Sequence, residues 1–269
     1  MSTASDRIRA ALASAYAEAS GLAGGRNADY IPFLAGVPSH LFGLALVTVD
    51  GEVFEHGDAR YEFAIESISK VLTLAAAIEE VGPEQIRVKV GDRPTGMPFN
   101  SVMALELHDD RPLSPLVNAG AMATVSLLKA ADAEERWAKV LAMQSRLAGR
   151  AIRISDEVNQ SEQTTNFHNR ALAWLLYSGG NMYCDPMEAC DVYTRQCSTL
   201  VTAVDLAVIG ATLANAGTNP LTRKAVLNPE NVPPILAEMM MEGLYDAAGD
   251  WAFQVGIPAK SGVGGGLVA

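Results

Sequence analysis

Cysteine is scarce: Cys184, Cys190 and Cys197 are the only three in 269 residues. An odd count does not close a disulfide framework, and no histidine stands close enough to complete a zinc pattern. Buried structural thiols in a reducing compartment are the reading that remains. Basic residues are also in short supply. Twenty Lys and Arg stand against 31 Asp and Glu, a formal net charge of -11, which excludes nucleic acid and anionic membrane surfaces as natural partners. No apolar run is long enough to span a bilayer. The start, M-S-T-A-S-D-R-I-R-A-A-L, has no unbroken apolar stretch of the kind a secretory signal needs. A cytoplasmic protein is expected. Internal repeats and low-complexity linkers are missing too.

What the chain has is core. Hydrophobic residues make up 49% and charged residues 19%, which suits a folded chain of one or two domains and argues against disorder. Ile8, Leu12 and Tyr16 recur at helical spacing, so a helix is expected up to about Gly21. Leu44 to Val49 reads as a strand. Asp50-Gly51 follows, then E-V-F-E-H-G, a strong hairpin signal. Tyr61 to Ile65 alternates. A helix is expected over 67–80, stopped by Gly82-Pro83. Helices are also expected over 118–130, 133–147, 162–177, 186–195, 204–216 and 234–241. The last stretch, W-A-F-Q-V-G-I-P-A-K-S-G-V-G-G-G-L-V-A, reads as strands around glycines. Strands at both ends with helices between predict one α+β domain over 1–269. Its sheet lobe is expected near 25–75 and 245–269, its helical lobe near 76–244, with the strands of both ends sharing one antiparallel sheet.

The stretch E-S-I-S-K (66–70) carries chemistry at the mouth of an apolar helix. Lysine is rarely buried without a reason. Ser67 and Lys70 are three apart and share a helix face. Burial lowers a lysine's pKa, so its amine can serve as a base for a serine nucleophile. Free N–H groups at the helix start can hold an oxyanion. Ser69 competes as nucleophile but points to another face. S-x-x-K alone is weak, and a capping serine beside an unrelated lysine explains it equally well. A second piece, Lys260-Ser261-Gly262 on an expected strand, changes the odds. S-x-x-K early and K-S-G late is the pairing of serine β-lactamases and penicillin-binding proteins.

Further motifs follow in order: A-D-Y-I-P (28–32), P-F-N-S (98–101), P-L-V-N-A-G-A (115–121), Q-S-E (160–162), Y-T-R-Q-C-S (193–198), G-L-Y-D (243–246) and G-I-P-A-K-S-G-V-G-G-G (256–266). Together they resemble the bacterial serine-dependent glutaminases, from about Ala28 onward. The resemblance implies a β-lactamase/transpeptidase-like fold. It implies an amidohydrolase that converts L-glutamine and water to L-glutamate and ammonia, with no metal and no cofactor, in a homo-oligomer (dimer or tetramer). It implies Ser67 as nucleophile and Lys70 as base, with the N–H groups of Ser67 and Val263 as oxyanion hole. Tyr30, Asn118, Glu162, Asn169, Tyr193 and Tyr245 match the pocket. Tyr193 or Tyr245 is implied to shuttle protons to the leaving ammonia. Residue chemistry agrees with this. An α-ammonium group needs an anion, which Glu162 supplies, and an α-carboxylate needs donors, which Asn118 and the tyrosine hydroxyls supply. On residue chemistry alone, Asn118 could equally cap a helix, Asn169 face solvent and Tyr30 sit exposed beside a turn.

Two departures stand out. Arg93 and Thr95 in G-D-R-P-T-G replace the acidic residue and serine usual in the family, a change expected to touch packing near the lobe edge. The sequence ends at Ala269, whereas family members continue. Missing C-terminal strands and helix are therefore expected to leave an open sheet edge, with weak stability and activity unless oligomer contacts cover it. Two other functions compete: a penicillin-recognising serine hydrolase or peptidase, and a non-catalytic amino-acid-binding descendant.

Overall fold

The computed structural model describes residues 3–269. Its centre is the helix Ser69–Val81, S-K-V-L-T-L-A-A-A-I-E-E-V, buried continuously from Ser69 to Ile78. It packs against the helices Asn118–Leu127, Ala133–Ala148 and Val232–Glu242. The Asn118–Leu127 helix is built of small residues and is buried along its whole length. Gly120 shows why: a Cβ there would stand 1.7 Å from the Ser114 carbonyl oxygen, so only glycine allows this approach. Each fully buried Leu, Ile or Met contributes about 1.5–3 kcal/mol. Polar ties pin the helices in register. The Thr73 hydroxyl donates to Gln196 Oε1 at 2.6 Å, and Gln144 Nε2 donates to the Gln196 carbonyl at 3.2 Å.

Among the described residues the strands form three small antiparallel sheets. Gly43–Val47 pairs with Val53–Gly57, in register from Gly43 opposite Gly57 to Val47 opposite Val53. Phe63–Ala64 and Arg153–Ile154 flank Thr199–Val201. Lys260–Ser261 pairs with Leu267–Val268. The antiparallel strands and helical lobe agree with the expected class, but the two terminal hairpins share no ladder. They meet instead on one helix, Ala203–Ala214, which packs against both. Gly210 makes room for the second, since a Cβ there would lie 3.4 Å from Val268 Cγ2 and 3.2 Å from the Ala269 oxygen. The middle of the chain also supplies strands, at Arg153–Ile154 and Thr199–Val201, within the stretch expected to be helical throughout.

Two expected elements are drawn differently. The helix expected over 162–177 is broken at Asn166 into Asp156–Thr165 and Phe167–Ser178. The Thr164 and Thr165 hydroxyls donate back to the Ser161 carbonyl, and Asn166 takes ψ 32° with its amide turned to Thr194 Oγ1 at 2.6 Å. Short polar side chains offer the backbone such alternatives to helix. Trp251 to Gln254, expected in a strand, ends the helix Ala248–Gln254. At the other end Ala4–Ala19 lies against the first hairpin, with the Tyr16 ring 5.2 Å from Phe42 and 4.4 Å from His56. No helix among the described residues is long and apolar enough to cross a membrane.

One buried acid sits on the helix Val232–Glu242. Glu238 is 5% exposed, and the Ser114 hydroxyl donates to it at 3.2 Å. Burial pushes its carboxyl from 4.5 up to about 8; the Ser114 bond works against this, and Asp92 and Glu242 add to it. A raised acid is stable in its neutral form, so stability falls as pH climbs from 4.5 toward 8, by about 1.4 kcal/mol per pH unit at most. Glu238→Gln removes that ionisation. Its melting temperature is expected to match the wild type at about pH 5 and to exceed it by several degrees at about pH 8.5, at roughly 2–4 °C per kcal/mol. A difference independent of pH would show that Glu238 is not ionising inside the fold.

Candidate active site

The ladder Phe63–Ala64 with Thr199–Val201 runs directly into the site. The Ile65 N–H donates to the Thr199 carbonyl at 2.8 Å. The chain then tightens into a 3-10 turn, Glu66–Ile68, before the α-helix starts at Ser69. Glu66 opens that turn in the left-handed region, φ 52°. A non-glycine residue held there costs on the order of 1–3 kcal/mol, and such strain collects at functional sites. Ser67 therefore sits on a 3-10 turn, not at the α-helix start that the sequence predicts.

Lys70 Nζ donates to Ser67 Oγ at 2.5 Å. The lysine is 1% exposed, and its ammonium lies 5.2 Å from the Tyr193 ring centroid. Ser69 is fully buried and donates to the Glu66 carbonyl at 2.6 Å. Of the two serines, Ser67 alone lines a cavity of about 280 Å³. The other walls hold Tyr30, Asn118, Glu162, Asn169, Tyr193, Tyr245 and Val263. Every residue expected at the substrate is thus gathered round one space, with Lys70 behind Ser67.

Each wall has a local cause. The P-F-N-S motif stacks Phe99 on Tyr245 at 4.9 Å, and the Phe99 carbonyl accepts from the Asn118 N–H at 2.9 Å. In Q-S-E the Ser161 hydroxyl accepts from the Phe33 N–H at 3.1 Å, which ties the turn after Tyr30 to the helix carrying Glu162. Tyr30 itself is 57% exposed, at the rim. A relay crosses the floor. Tyr193 Oη donates to Asn118 Oδ1 at 2.9 Å, Asn118 Nδ2 to Asn169 Oδ1 at 3.0 Å, and Asn169 Nδ2 to Asn166 Oδ1 at 2.6 Å. The relay answers the capping and solvent alternatives for Asn118 and Asn169: both amides are tied into the cavity wall. The glycines of K-S-G-V-G-G-G are steric. A Cβ at Gly262 would meet the Ile65 oxygen at 2.7 Å, and one at Gly264 the Ala64 oxygen at 2.2 Å. Only glycine lets this turn lie under the Glu66–Ser67 peptide and present Val263 at the rim.

The electrostatics are unusual. Lys260 is fully buried, donates to the Ser261 carbonyl at 2.8 Å and stands 4.0 Å from the Tyr245 ring centroid. Burial lowers its ammonium to about 8; Lys70 pushes the same way and Tyr245 opposes. The Tyr245 hydroxyl is buried, with Ser67 and Lys260 beside it. Burial works to raise it, but Lys70 and Lys260 outweigh that and hold it below the ordinary tyrosine value. Tyr245 also opens a 3-10 turn at φ 55°. Glu162 Oε1 accepts from the Ser198 hydroxyl at 3.2 Å. Burial pushes Glu162 up to about 7 against Ser198 and Lys70.

Glu66, Glu162 and Cys197 each bring a donor atom within 4.8 Å of the others. Burial keeps the Cys197 thiol protonated, and Lys70 already supplies positive charge to all three. That chemistry suits an ammonium or a proton better than a metal ion. The sequence reading passed over Glu66, Asn166, Cys197, Ser198 and Phe99. All but Ser198 line the cavity, and Ser198 acts through Glu162. The signal for Glu66 was present, as an acid flanked by apolar residues directly before the expected nucleophile. Nothing in the sequence marks Asn166, because its place depends on a helix break. Thr95 is buried and tied to Glu242, its N–H donating to Oε2 at 3.1 Å. Arg93 has a side chain 69% exposed. Of this pair Thr95 bears on packing and Arg93 lies at the surface, both outside the cavity.

The comparisons with known proteins point to one family. A profile of the Glutaminase family matches residues 25–269. A glutaminase from Bordetella avium is 68% identical over 263 residues, 98% of this chain and 84% of the relative. Glutaminase 1 of Escherichia coli K12 is 63% identical over 264 residues, 98% of this chain and 85% of the relative. The solved probable glutaminase ybaS superposes with TM-score 0.97 at 62% identity, covering 98% of this chain and 86% of that one. Mglu in its glutamate form gives TM-score 0.91 at 38% identity, over 99% of this chain and 61% of that one. With a family profile over nine-tenths of its length and a cavity that holds the family's motif residues, the chain belongs to the glutaminase family.

Proposed function

We infer that the chain hydrolyses the side-chain amide of L-glutamine, releasing L-glutamate and ammonia, through an acyl-enzyme on Ser67. The observation that carries this reading is the 2.5 Å contact between Lys70 Nζ and Ser67 Oγ on the wall of a cavity that also holds Glu162. A zwitterionic amino acid enters with its α-ammonium toward Glu162. That charge offsets what burial costs the carboxylate, so binding and ionisation of Glu162 support one another. The side-chain amide carbon then lies against Ser67.

Lys70 acts from its neutral amine form: it takes the Ser67 hydroxyl proton as Oγ attacks that carbon, and becomes an ammonium. The amide oxygen becomes an oxyanion, for which the N–H groups of Ser67 and Val263 are the donors in this reading. Collapse of the intermediate breaks the C–N bond. The leaving nitrogen needs a proton, and the acidified Tyr245 hydroxyl is placed to give it, recovering it through Lys70. Tyr193 is less suited to this step, because its hydroxyl already donates to Asn118 and burial holds it well above the ordinary tyrosine value. Water then attacks the acyl carbon by the same route in reverse and frees L-glutamate.

The test sets ammonia release from L-glutamine beside hydrolysis of a chromogenic β-lactam. Ammonia release without lactam turnover is expected, because the carboxylate of Glu162 is suited to a free α-amino group. Lactam turnover without ammonia would move the chain to the penicillin-recognising hydrolases. Binding of L-glutamate with neither activity would leave an amino-acid-binding protein.

A further inference from the structure

The reaction just described leaves one buried acid without a task. Glu66 is 3% exposed, lines the cavity, and its Oε1 is buried with no hydrogen-bond partner. The position is built, not incidental. Its backbone is held at φ 52° between the Ile65–Thr199 ladder bond and the Ser69 hydroxyl on its carbonyl. Its side chain rests on the glycine turn: a Cβ on Gly262 would stand 3.4 Å from Glu66 Cβ, and one on Gly264 3.3 Å from Glu66 Cγ. The carboxyl therefore has little freedom to swing out to water.

Glu66 shares its space with Glu162. Two carboxylates this close, both shielded from water, resist ionising together. Glu162 accepts a hydrogen bond from Ser198, which favours its charged form, and Glu66 Oε1 has no such donor. The single proton of the pair belongs on Glu66. A neutral acid brings one O–H, and an O–H needs an acceptor. Of the donors first expected to meet the substrate's α-carboxylate, the Tyr193 hydroxyl already serves Asn118, and Asn118 has placed one of its two amide hydrogens on Asn169.

Resting on the glutamine reading, we propose that Glu66 binds substrate as a neutral carboxylic acid. It donates its one hydrogen to the α-carboxylate of the bound amino acid, while Glu162 alone carries the charge that meets the α-ammonium. The two α-substituents leave the same carbon, so two side chains that face each other across one short gap can serve both. Burial, then the charge of Glu162, hold the Glu66 carboxyl well above the ordinary carboxylate range, and Lys70 only partly offsets them. The other titratable groups lining the same cavity are the Cys197 thiol, the Tyr30, Tyr193 and Tyr245 hydroxyls and the His168 imidazole. When Glu66 ionises, its donor is lost and a second negative charge confronts the α-carboxylate. Substrate affinity therefore falls as pH rises through its titration.

The test is a pH profile of kcat/KM for L-glutamine in wild type, Glu66→Gln and Glu66→Ala, with thermal melts. Glu66→Gln keeps a donor but cannot ionise. It is expected to lose about 3- to 10-fold at acid pH, because an amide donates more weakly, and to move the alkaline fall of kcat/KM upward by about a pH unit or more. Glu66→Ala should raise KM more than it lowers kcat at every pH. An alkaline limb in Glu66→Gln that coincides with the wild type overturns the proposal, as does equal damage from Gln and Ala. Should the variants fail to fold, infrared spectra of the wild type decide. The difference between the L-glutamate-bound and free protein should show a protonated-carboxyl band moving to lower frequency, and its absence overturns the proposal. A wild type that releases no ammonia from L-glutamine overturns the glutamine reading instead.

Discussion

Ser67→Ala is expected to abolish glutamine hydrolysis, with a loss of about 10⁴-fold or more in kcat, while the protein stays folded. Ser67 is only partly buried, and its Oγ accepts a hydrogen bond from Lys70. Removing it leaves no cavity of consequence, so the melting temperature should shift by no more than about 1 kcal/mol allows. Binding of L-glutamate, measured by calorimetry, should survive, because Glu162, Asn118 and Asn169 are untouched. Ser69→Ala gives the contrast. That hydroxyl is fully buried and supports the Glu66 carbonyl at 2.6 Å. Its loss should cost about 1 kcal/mol of stability and leave most of the turnover. If Ser69→Ala stopped the reaction and Ser67→Ala did not, the nucleophile would be wrongly assigned, and with it the role of Lys70.

The contrast between the two serines shows how far the sequence could be read. Spacing alone placed Ser67 and Lys70 on one face, and the 2.5 Å contact agrees. Spacing could not show that a 3-10 turn precedes the helix, because that depends on Glu66 taking φ 52° under tertiary constraint. Long periodic segments were legible: helices expected over 133–147 and 186–195 are found at Ala133–Ala148 and Pro186–Cys197. The break at Asn166 was not, since its cause is a side chain reaching Thr194, 28 positions away. The first hairpin was legible in its strands, and the strands at Arg153–Ile154 and Thr199–Val201 were not. The Asp50-Gly51 turn marks Val53–Gly57 as half of a hairpin, but nothing local marks Thr199–Val201 as the partner of Phe63–Ala64. The pocket residues followed from ordered motifs. Glu66 did not, because an acid next to a nucleophile gains meaning only when a second acid and a closed wall surround it.

Glu162→Gln is the other large effect. The carboxylate is the one anion in the cavity free to meet an α-ammonium, given that Glu66 keeps the proton. Glutamine in its place preserves shape and one acceptor but removes the charge. A hydrogen bond between charged groups is worth about 1.5–3 kcal/mol, so kcat/KM for L-glutamine should fall by roughly 10- to 150-fold. The loss should appear mainly in KM, because the contact is equally present in the ground state and the transition state. Ser198 keeps a partner at the same oxygen, so stability should change little. The pH dependence has a definite sign. Glu162 in the free protein sits at about 7, and its neutral form cannot pair with an ammonium. Wild-type kcat/KM should therefore decline on the acid side of that value, and the decline should be missing in the variant. Glutaramate, which is glutamine without its α-amino group, separates charge from shape. The wild type should handle it poorly, and Glu162→Gln should handle it about as well as the wild type does. Equal losses on L-glutamine and glutaramate would mean that Glu162 shapes the cavity and that the α-ammonium is met by another residue.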